Sequence, residues 1–408
     1  MNAATSLGAG AIAAPDDEDL SPRADEAWPF YDDDEIDAVA RVLRSGKVNQ
    51  WTGPDVFAFE EACLQRFGGE HGIALGNGSL ALELALRAFG IGPGDEVIVT
   101  PRTFVASAFC AMLVGATPVF ADIEPDSGNI SPATIAPLIT DRTRAIIPVH
   151  LGGWPADIPG IMALAAPRGI KVIEDCAQAH GAEIDGRSVG GFGDAAAFSF
   201  CQDKIISTAG EGGFLSIRDP EAAEWAWSYK DHGKNRAKMK APTTNPGVFK
   251  WVHDQVGTNW RLSGPQAAIG LRQLAKLDAW LDARTRHAAV WAEALGDIDG
   301  ISIPRAGPGL RHAFYKFYFY LDAPEGEAER LRGRILQQAA ATGLRLFSGS
   351  SSEVYREESF AHLPAPDCPA ARRMSGNALM VEVHPNLRPD LLERRAERLA
   401  AIVKDVVG

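Results

Sequence analysis

The sequence predicts an α/β protein: a large domain on a mostly parallel sheet, then a smaller C-terminal α+β domain. Three observations carry this. Between Val97 and Ile173, short continuously apolar runs alternate with helix-patterned segments. That rhythm belongs to a doubly wound sheet covered on both faces. From about Ile301 the pattern changes, with strand-like Lys316–Leu321 and Ala378–Val383 around a helical Ala328–Thr342. The chain has 408 residues, 46% of them apolar, enough for one large and one small core. The division expected is a disordered tail at 1–26, a large domain at 27–280 and a small domain at 281–408.

The first 26 residues are mostly Ala, Gly, Ser and acidic residues, with no basic start followed by an apolar block. Asp32–Leu43 reads as an acid-started helix and Val56–Phe67 as a second. Ser79–Phe89 is a third, with Ser79 as its N-cap directly after Gly76-Asn77-Gly78. Strands are predicted at Val97–Thr100, Thr117–Phe120, Ala145–Val149 and Lys171–Ile173. Helices Ala106–Leu113, Ser131–Leu138 and Ile158–Ala165 separate them, the second opened by Ser-Pro. Ala195–Phe200 is a further strand. Residues 230–250 are basic and then rich in Pro, Asn and Gly, which predicts a long loop. Gly264–Leu281 is strongly helical and links the domains.

Composition excludes several roles. A net charge of −13 leaves no broad basic face for nucleic acid. The five cysteines are scattered and never in C-x-x-C spacing, which argues against a disulfide framework or zinc site and for the reducing cytoplasm. No apolar run is long enough to span a bilayer, so no membrane association is expected. The chain lacks G-x-x-x-x-G-K-[ST], a G-x-G-x-x-G after a strand, H-E-x-x-H and G-x-S-x-G. No metal site is expected.

What remains is a set of groups at strand ends, where open α/β sheets bind ligands. Lys204 follows the apolar run Ala195–Phe200 and precedes Gly210, Gly212 and Gly213. Desolvation disfavours a charged lysine and prepares it to form a Schiff base; an ordinary solvated loop lysine is the other reading. Gly78 and Ser79 open a helix, so their amides suit a phosphate, although Ser79 as a simple cap is compatible. Asp175 ends an apolar run and needs a cationic partner if buried; a helix N-cap is its alternative. Phe104 offers a flat stacking surface or plain core. Together these groups suit pyridoxal phosphate, which wants a lysine and an acid for its ring nitrogen.

The chain resembles the DegT/DnrJ/EryC1/StrS family of pyridoxal-phosphate-dependent sugar aminotransferases, of fold type I. The matching text runs through GPDVFAFEEACLQRFG, GNGSLALELAL, GDEVIVTPRTFVAS, ATPVFADIEPDSGNI, VIEDCAQAHGA, GFGDAAAFSFCQDK, STAGEGGFL and GTNWRLSGPQAAIGLRQLAKLD. The resemblance implies that Lys204 holds the cofactor and Asp175 pairs with its ring nitrogen. It implies that Gln178 bonds the ring oxygen and Phe104 stacks on the ring. Ser199, Gly78 and Ser79 would hold the phosphate, with Asn259 reaching the neighbouring subunit's phosphate in a homodimer. The implied reaction moves an amino group from glutamate or glutamine to a keto-sugar by ping-pong kinetics. GNGS departs from the more usual S-G-T form, and Cys201-Gln202-Asp203 from the commoner text before the lysine.

Within the same family, a 3-amino-5-hydroxybenzoate synthase-like dehydratase shares the T-A-G-E-G-G text at Thr208–Gly213. A non-catalytic cofactor-binding regulator is the rival from another class, and intact Lys204, Asp175 and Ser199 argue against it. The basic cluster around Lys234 and Arg236 suggests contact with an anionic, nucleotide-linked sugar; a solvated basic loop is the alternative.

Overall fold

Among the described residues, the chain forms thirteen strands. They are β1 His71–Leu75, β2 Glu96–Val99, β3 Thr117–Phe120, β4 Thr143–Ile147, β5 Lys171–Asp175, β6 Glu183–Ile184 and β7 Arg187–Ser188. Then follow β8 Ala195–Ser199, β9 Gly213–Ile217, β10 Ile301–Ser302, β11 Leu310–Arg311, β12 Phe317–Leu321 and β13 Ala378–Val381. The computed structural model describes residues 19–242, 247 and 249–408. Its main sheet has seven strands in the order β1-β9-β8-β5-β4-β2-β3. Only β9 runs against its neighbours; β8, β5, β4, β2 and β3 pair in parallel. Strands β2, β5, β8 and β9 are almost wholly buried, and β4 is buried apart from Arg144, as a two-sided cover requires. Three-stranded sheets β10-β12-β13 and β11-β6-β7 complete the fold.

The expected helix ending at Leu281 continues to Leu295, so the division at 280/281 falls inside one helix of 32 residues. Its start is fixed by a reciprocal Ser263–Gln266 capping box. Leu277 and Leu281 join the core beneath the large sheet, whereas Trp291 and Leu295 join the core around β12 and β13. The helix therefore carries both cores on one rod. The stretch around Val354–Phe360 returns to the large sheet. The Val354 amide donates to the Pro101 carbonyl at 2.9 Å, and Phe360 packs on Phe109 and Phe120.

Three expectations change. Residues 1–18 of the expected tail lie outside the described residues, but within 19–26 Leu20 and Glu26 are buried. Glu26 is buried and bonds the Arg395 guanidinium through two contacts of 2.7 Å. A charge pair of that separation in sequence is invisible to local composition. The third helix is capped by Asn77, whose Oδ1 accepts the Leu80 amide at 2.9 Å, so Gly78 and Ser79 are its first two residues. Within the expected 230–250 loop, Arg236–Lys240 is a short helix capped by Asn235; residues 243–246 and 248 lie outside the described residues. No helix among the described residues is long and apolar enough to cross a membrane.

Candidate active site

The carboxyl ends of β1, β5 and β8 converge. The helix Gly78–Ala88 starts there, pressed against β8 and β9. A Cβ on Gly78 would lie 2.6 Å from Ser199 Cβ, and one on Gly213 would lie 2.2 Å from the Asn77 carbonyl oxygen. Only glycine lets the helix start sit this close to the sheet. The Gly78 and Ser79 amides have no intrahelical acceptor. Ser199 is half-buried beside them, and its hydroxyl makes no hydrogen bond among the described residues. The set is a cup of free donors at the positive end of a helix, the chemistry a phosphate requires.

Lys204 sits in the loop between β8 and β9, which is tied back by the Thr208 and Phe200 amides bonding the Phe200 and Gly212 carbonyls. Its side chain is 12% exposed, 3.9 Å from an Asp203 oxygen and 4.8 Å from the Tyr315 ring centre. Tyr315 donates its hydroxyl to Asp203. Although burial opposes it, the Lys204 charge and the Tyr315 hydroxyl hold the Asp203 carboxyl below the usual range. The Lys204 carbonyl accepts the Trp28 indole proton at 2.9 Å, which pins the loop from the N-terminal side.

Asp175 ends β5, next to β8, with Asp175 opposite Ala197. Its carboxylate is buried and accepts the Ser107 hydroxyl at 2.7 Å and the Ala177 amide at 3.1 Å. Burial pushes its carboxyl above the usual range, against the pull of Ser107, Ala177 and the Lys204 charge. It is thus a buried acid short of a cation, which suits a protonated ring nitrogen. Gln178 Oε1 accepts the Gly152 amide at 2.7 Å, leaving the amide NH2 to donate. Behind them, Glu174 accepts the Gly190, Phe192 and Gly193 amides and faces His150 Nε2, while His150 Nδ1 accepts the Ala156 amide. His150, Glu174 and Cys176 lie close together. With both His150 nitrogens and the Glu174 oxygens engaged, the cluster is a structural pairing.

Phe104 is 66% exposed, a ring face open beyond the end of β2. Asn259 is exposed and bridged through its backbone to Asp231; the next residue's carbonyl accepts the Gly76 amide at 3.0 Å. Lys234 and Arg236, expected to face an anionic sugar, are each ion-paired. Lys234 bonds Asp231 at 3.1 Å and lies over Trp51; Arg236 bonds Glu224 at 2.8 Å and lies over Trp227. Each cation thus has an acidic partner, Asp231 within the expected loop and Glu224 before it. Trp28, Ser107, Asp203 and Tyr315 escaped sequence reasoning. Asp203, adjacent to the lysine in unusual text, and Ser107, four residues after Thr103, carried a local signal.

A lysine in a loop past β8, a buried acid at the end of β5 and a helix-start anion cup define a pyridoxal-phosphate enzyme of fold type I. The residues present fit that cofactor at each of its polar positions. The chain belongs to the DegT/DnrJ/EryC1/StrS aminotransferase family, whose sequence profile matches residues 29–400. It is a pyridoxal-phosphate-dependent aminotransferase. Among solved structures it is similar to an aminotransferase from Psychrobacter cryohalolentis. That similarity is 42% identity with a TM-score of 0.89, covering 94% of this chain and 99% of that one. It is 38% identical to the UDP-N-acetyl-3-dehydro-alpha-D-glucosamine 3-aminotransferase of Acidithiobacillus ferrooxidans, over 82% of this chain and 84% of the relative. It is 34% identical to the 3-amino-5-hydroxybenzoate synthase of Amycolatopsis mediterranei, over 84% and 85%.

Proposed function

We propose that the protein transfers an amino group from an amino-acid donor, glutamate or glutamine, to a nucleotide-linked keto-sugar. The observation that carries this is the juxtaposition of Lys204, buried Asp175 and the Gly78–Ser79 donor cup at the carboxyl ends of β5 and β8. The name of the 38%-identical relative, an aminotransferase acting on a UDP-linked keto-sugar, supports the substrate class. Bound pyridoxal phosphate would carry the amino group and withdraw electrons from the reacting carbon.

The chain's own residues do the rest. Lys204 Nζ would hold the cofactor, and its free amine is the group placed to move a proton at the donor's α-carbon. Asp175 keeps the proton on the ring nitrogen, and the Gln178 NH2 donates to the ring oxygen. Phe104 covers one ring face. The Gly78 and Ser79 amides and the Ser199 hydroxyl hold the phosphate, joined by Asn259 of a second copy in a homodimer. Two half-reactions at one site give ping-pong kinetics. We place the protein in the cytoplasm, where its five cysteines, all free, stay reduced.

The test is a donor and acceptor screen. Glutamate or glutamine should bleach the visible absorbance of the holoenzyme, and a nucleotide-linked keto-sugar should restore it with formation of an amino-sugar. Aromatisation of a carbocycle by loss of water, with no donor consumed, would identify the dehydratase instead. An absorbance that no donor changes would identify a regulator.

A further inference from the structure

Asp175 Oδ2 accepts the Ser107 hydroxyl at 2.7 Å, and Ser107 Oγ lies 2.8 Å from Thr103 Oγ1. All three side chains are buried. We propose that Thr103 and Ser107 form a hydroxyl relay that positions the Asp175 carboxylate as acceptor for the cofactor's ring nitrogen. The inference rests on the cofactor site proposed above and assigns two residues beyond it.

The direction of the relay follows from proton counting. A carboxylate only accepts, so Ser107 must spend its single proton on Asp175. Its oxygen is then free to accept, and Thr103 supplies the proton. Each bond polarises the next, and water is excluded from all three groups. The Ala177 amide holds the other carboxylate oxygen at 3.1 Å. The carboxylate is therefore clamped at both oxygens, with lone pairs left for one further donor.

The other groups facing Asp175 do not substitute for the relay. Lys204 acts on it through charge. His150 and Glu174 are bonded to each other and to backbone amides. Burial pushes the Cys110 and Cys176 thiols up, so they stay neutral. Among the described residues, Ser107 is the side chain that donates a hydrogen bond to this acid.

The relay also explains a feature of the chain. Thr103 and Ser107 flank Phe104, and the Ser107 amide bonds the Phe104 carbonyl at 3.2 Å. One five-residue segment thus presents the exposed ring and holds the acid beneath it.

The experiment compares holoenzymes of Ser107→Ala, Ser107→Thr and Thr103→Val by three readouts. These are the pyridoxal-phosphate dissociation constant, visible absorbance against pH, and separate kcat and KM. Ser107→Ala should weaken cofactor binding roughly tenfold or more, as expected for a lost hydrogen bond to a charged group. Its absorbance midpoint should move to higher pH, because a less positive ring leaves the Lys204 nitrogen more basic. Its kcat should fall with donor KM unchanged. Ser107→Thr should keep wild-type values, and Thr103→Val should shift the midpoint less, in the same direction. A folded Ser107→Ala with the wild-type midpoint and dissociation constant would overturn the relay. If Ser107→Ala does not fold, an unshifted Thr103→Val overturns it instead. A wild-type protein that binds no pyridoxal phosphate would reject the cofactor site itself, a result distinct from failure of the relay.

Discussion

Replacing Asp175 with asparagine removes one charge and almost no volume. The structure sets what else changes. The retained oxygen can still accept the Ala177 amide, and the new NH2 faces the Ser107 hydroxyl, which can turn to accept it. Folding should therefore survive. The wild-type carboxyl lies above 3.8 in the folded apoprotein, chiefly through burial. An acid raised on folding stabilises fully below its unfolded value and loses that contribution as pH climbs through the folded one. The asparagine variant has no charge to bury. Its apoprotein should match or exceed wild-type stability at neutral pH, with the difference vanishing below about pH 4. Catalysis should respond in the opposite sense. An amide cannot compensate a ring cation, and breaking a buried charge pair costs about 3–5 kcal/mol. At 1.36 kcal/mol per tenfold, kcat should fall roughly two to three and a half orders of magnitude. Steady-state transamination beside urea denaturation of the apoprotein reads both effects. A kcat within a few-fold of wild type would refute the ring-nitrogen role, leaving Asp175 as a local cap.

Lys204→Ala should purify folded but fail to transaminate, and borohydride should attach the cofactor of wild type to the peptide containing Lys204; label on another lysine rejects the assignment. The buried Glu26–Arg395 pair lowers the Glu26 carboxyl from 4.5 to about 2, Arg395 and backbone amides outweighing the opposing effect of burial. Its stabilisation is present above pH about 4.5 and is lost as pH falls toward 2. Arg395→Ala should cost about 3–5 kcal/mol in urea titrations at pH 7, and a loss below 1 kcal/mol would show the pair to be weakly coupled to the fold. Lys204→Ala and Asn259→Ala homodimers should each be weak, yet refolding them together should restore up to half of wild-type activity per mixed dimer. Persistent inactivity of mass-verified mixed dimers would place Asn259 outside the neighbouring site.

What was legible in the sequence is what depends on local order. Ala106–Leu113, Thr117–Phe120 and Ile158–Ala165 fall at the bounds predicted for them, because each is a mostly apolar block of a length that suits its element. The strand ends that carry Asp175 and Ser199 follow from the same blocks. Strands β1 and β9 escaped, and the reason lies at the site. Gly72 in β1 and Gly213 in β9 are glycines because Phe214 and Asn77 lie against them. Close packing, of Gly72 on the Phe214 ring along β1 and of Gly213 at the cup, thus weakens the strand signal in both. The cap moved from Ser79 to Asn77 for a related reason. Both residues cap well, but Gly78 is pressed on Ser199, which puts it inside the first turn. The ion pairs of Lys234 with Asp231 and of Arg236 with Glu224 are not legible in the basic run itself. Pairings made by topology, such as Tyr315 with Asp203 across 112 positions, leave no local trace. The Thr103–Ser107 relay is the intermediate case. Two hydroxyls four residues apart, at a strand end and around an aromatic residue, are visible in the text. Their meaning appears only when β5 brings Asp175 beneath them, because a hydroxyl relay needs an acceptor that its own segment does not contain.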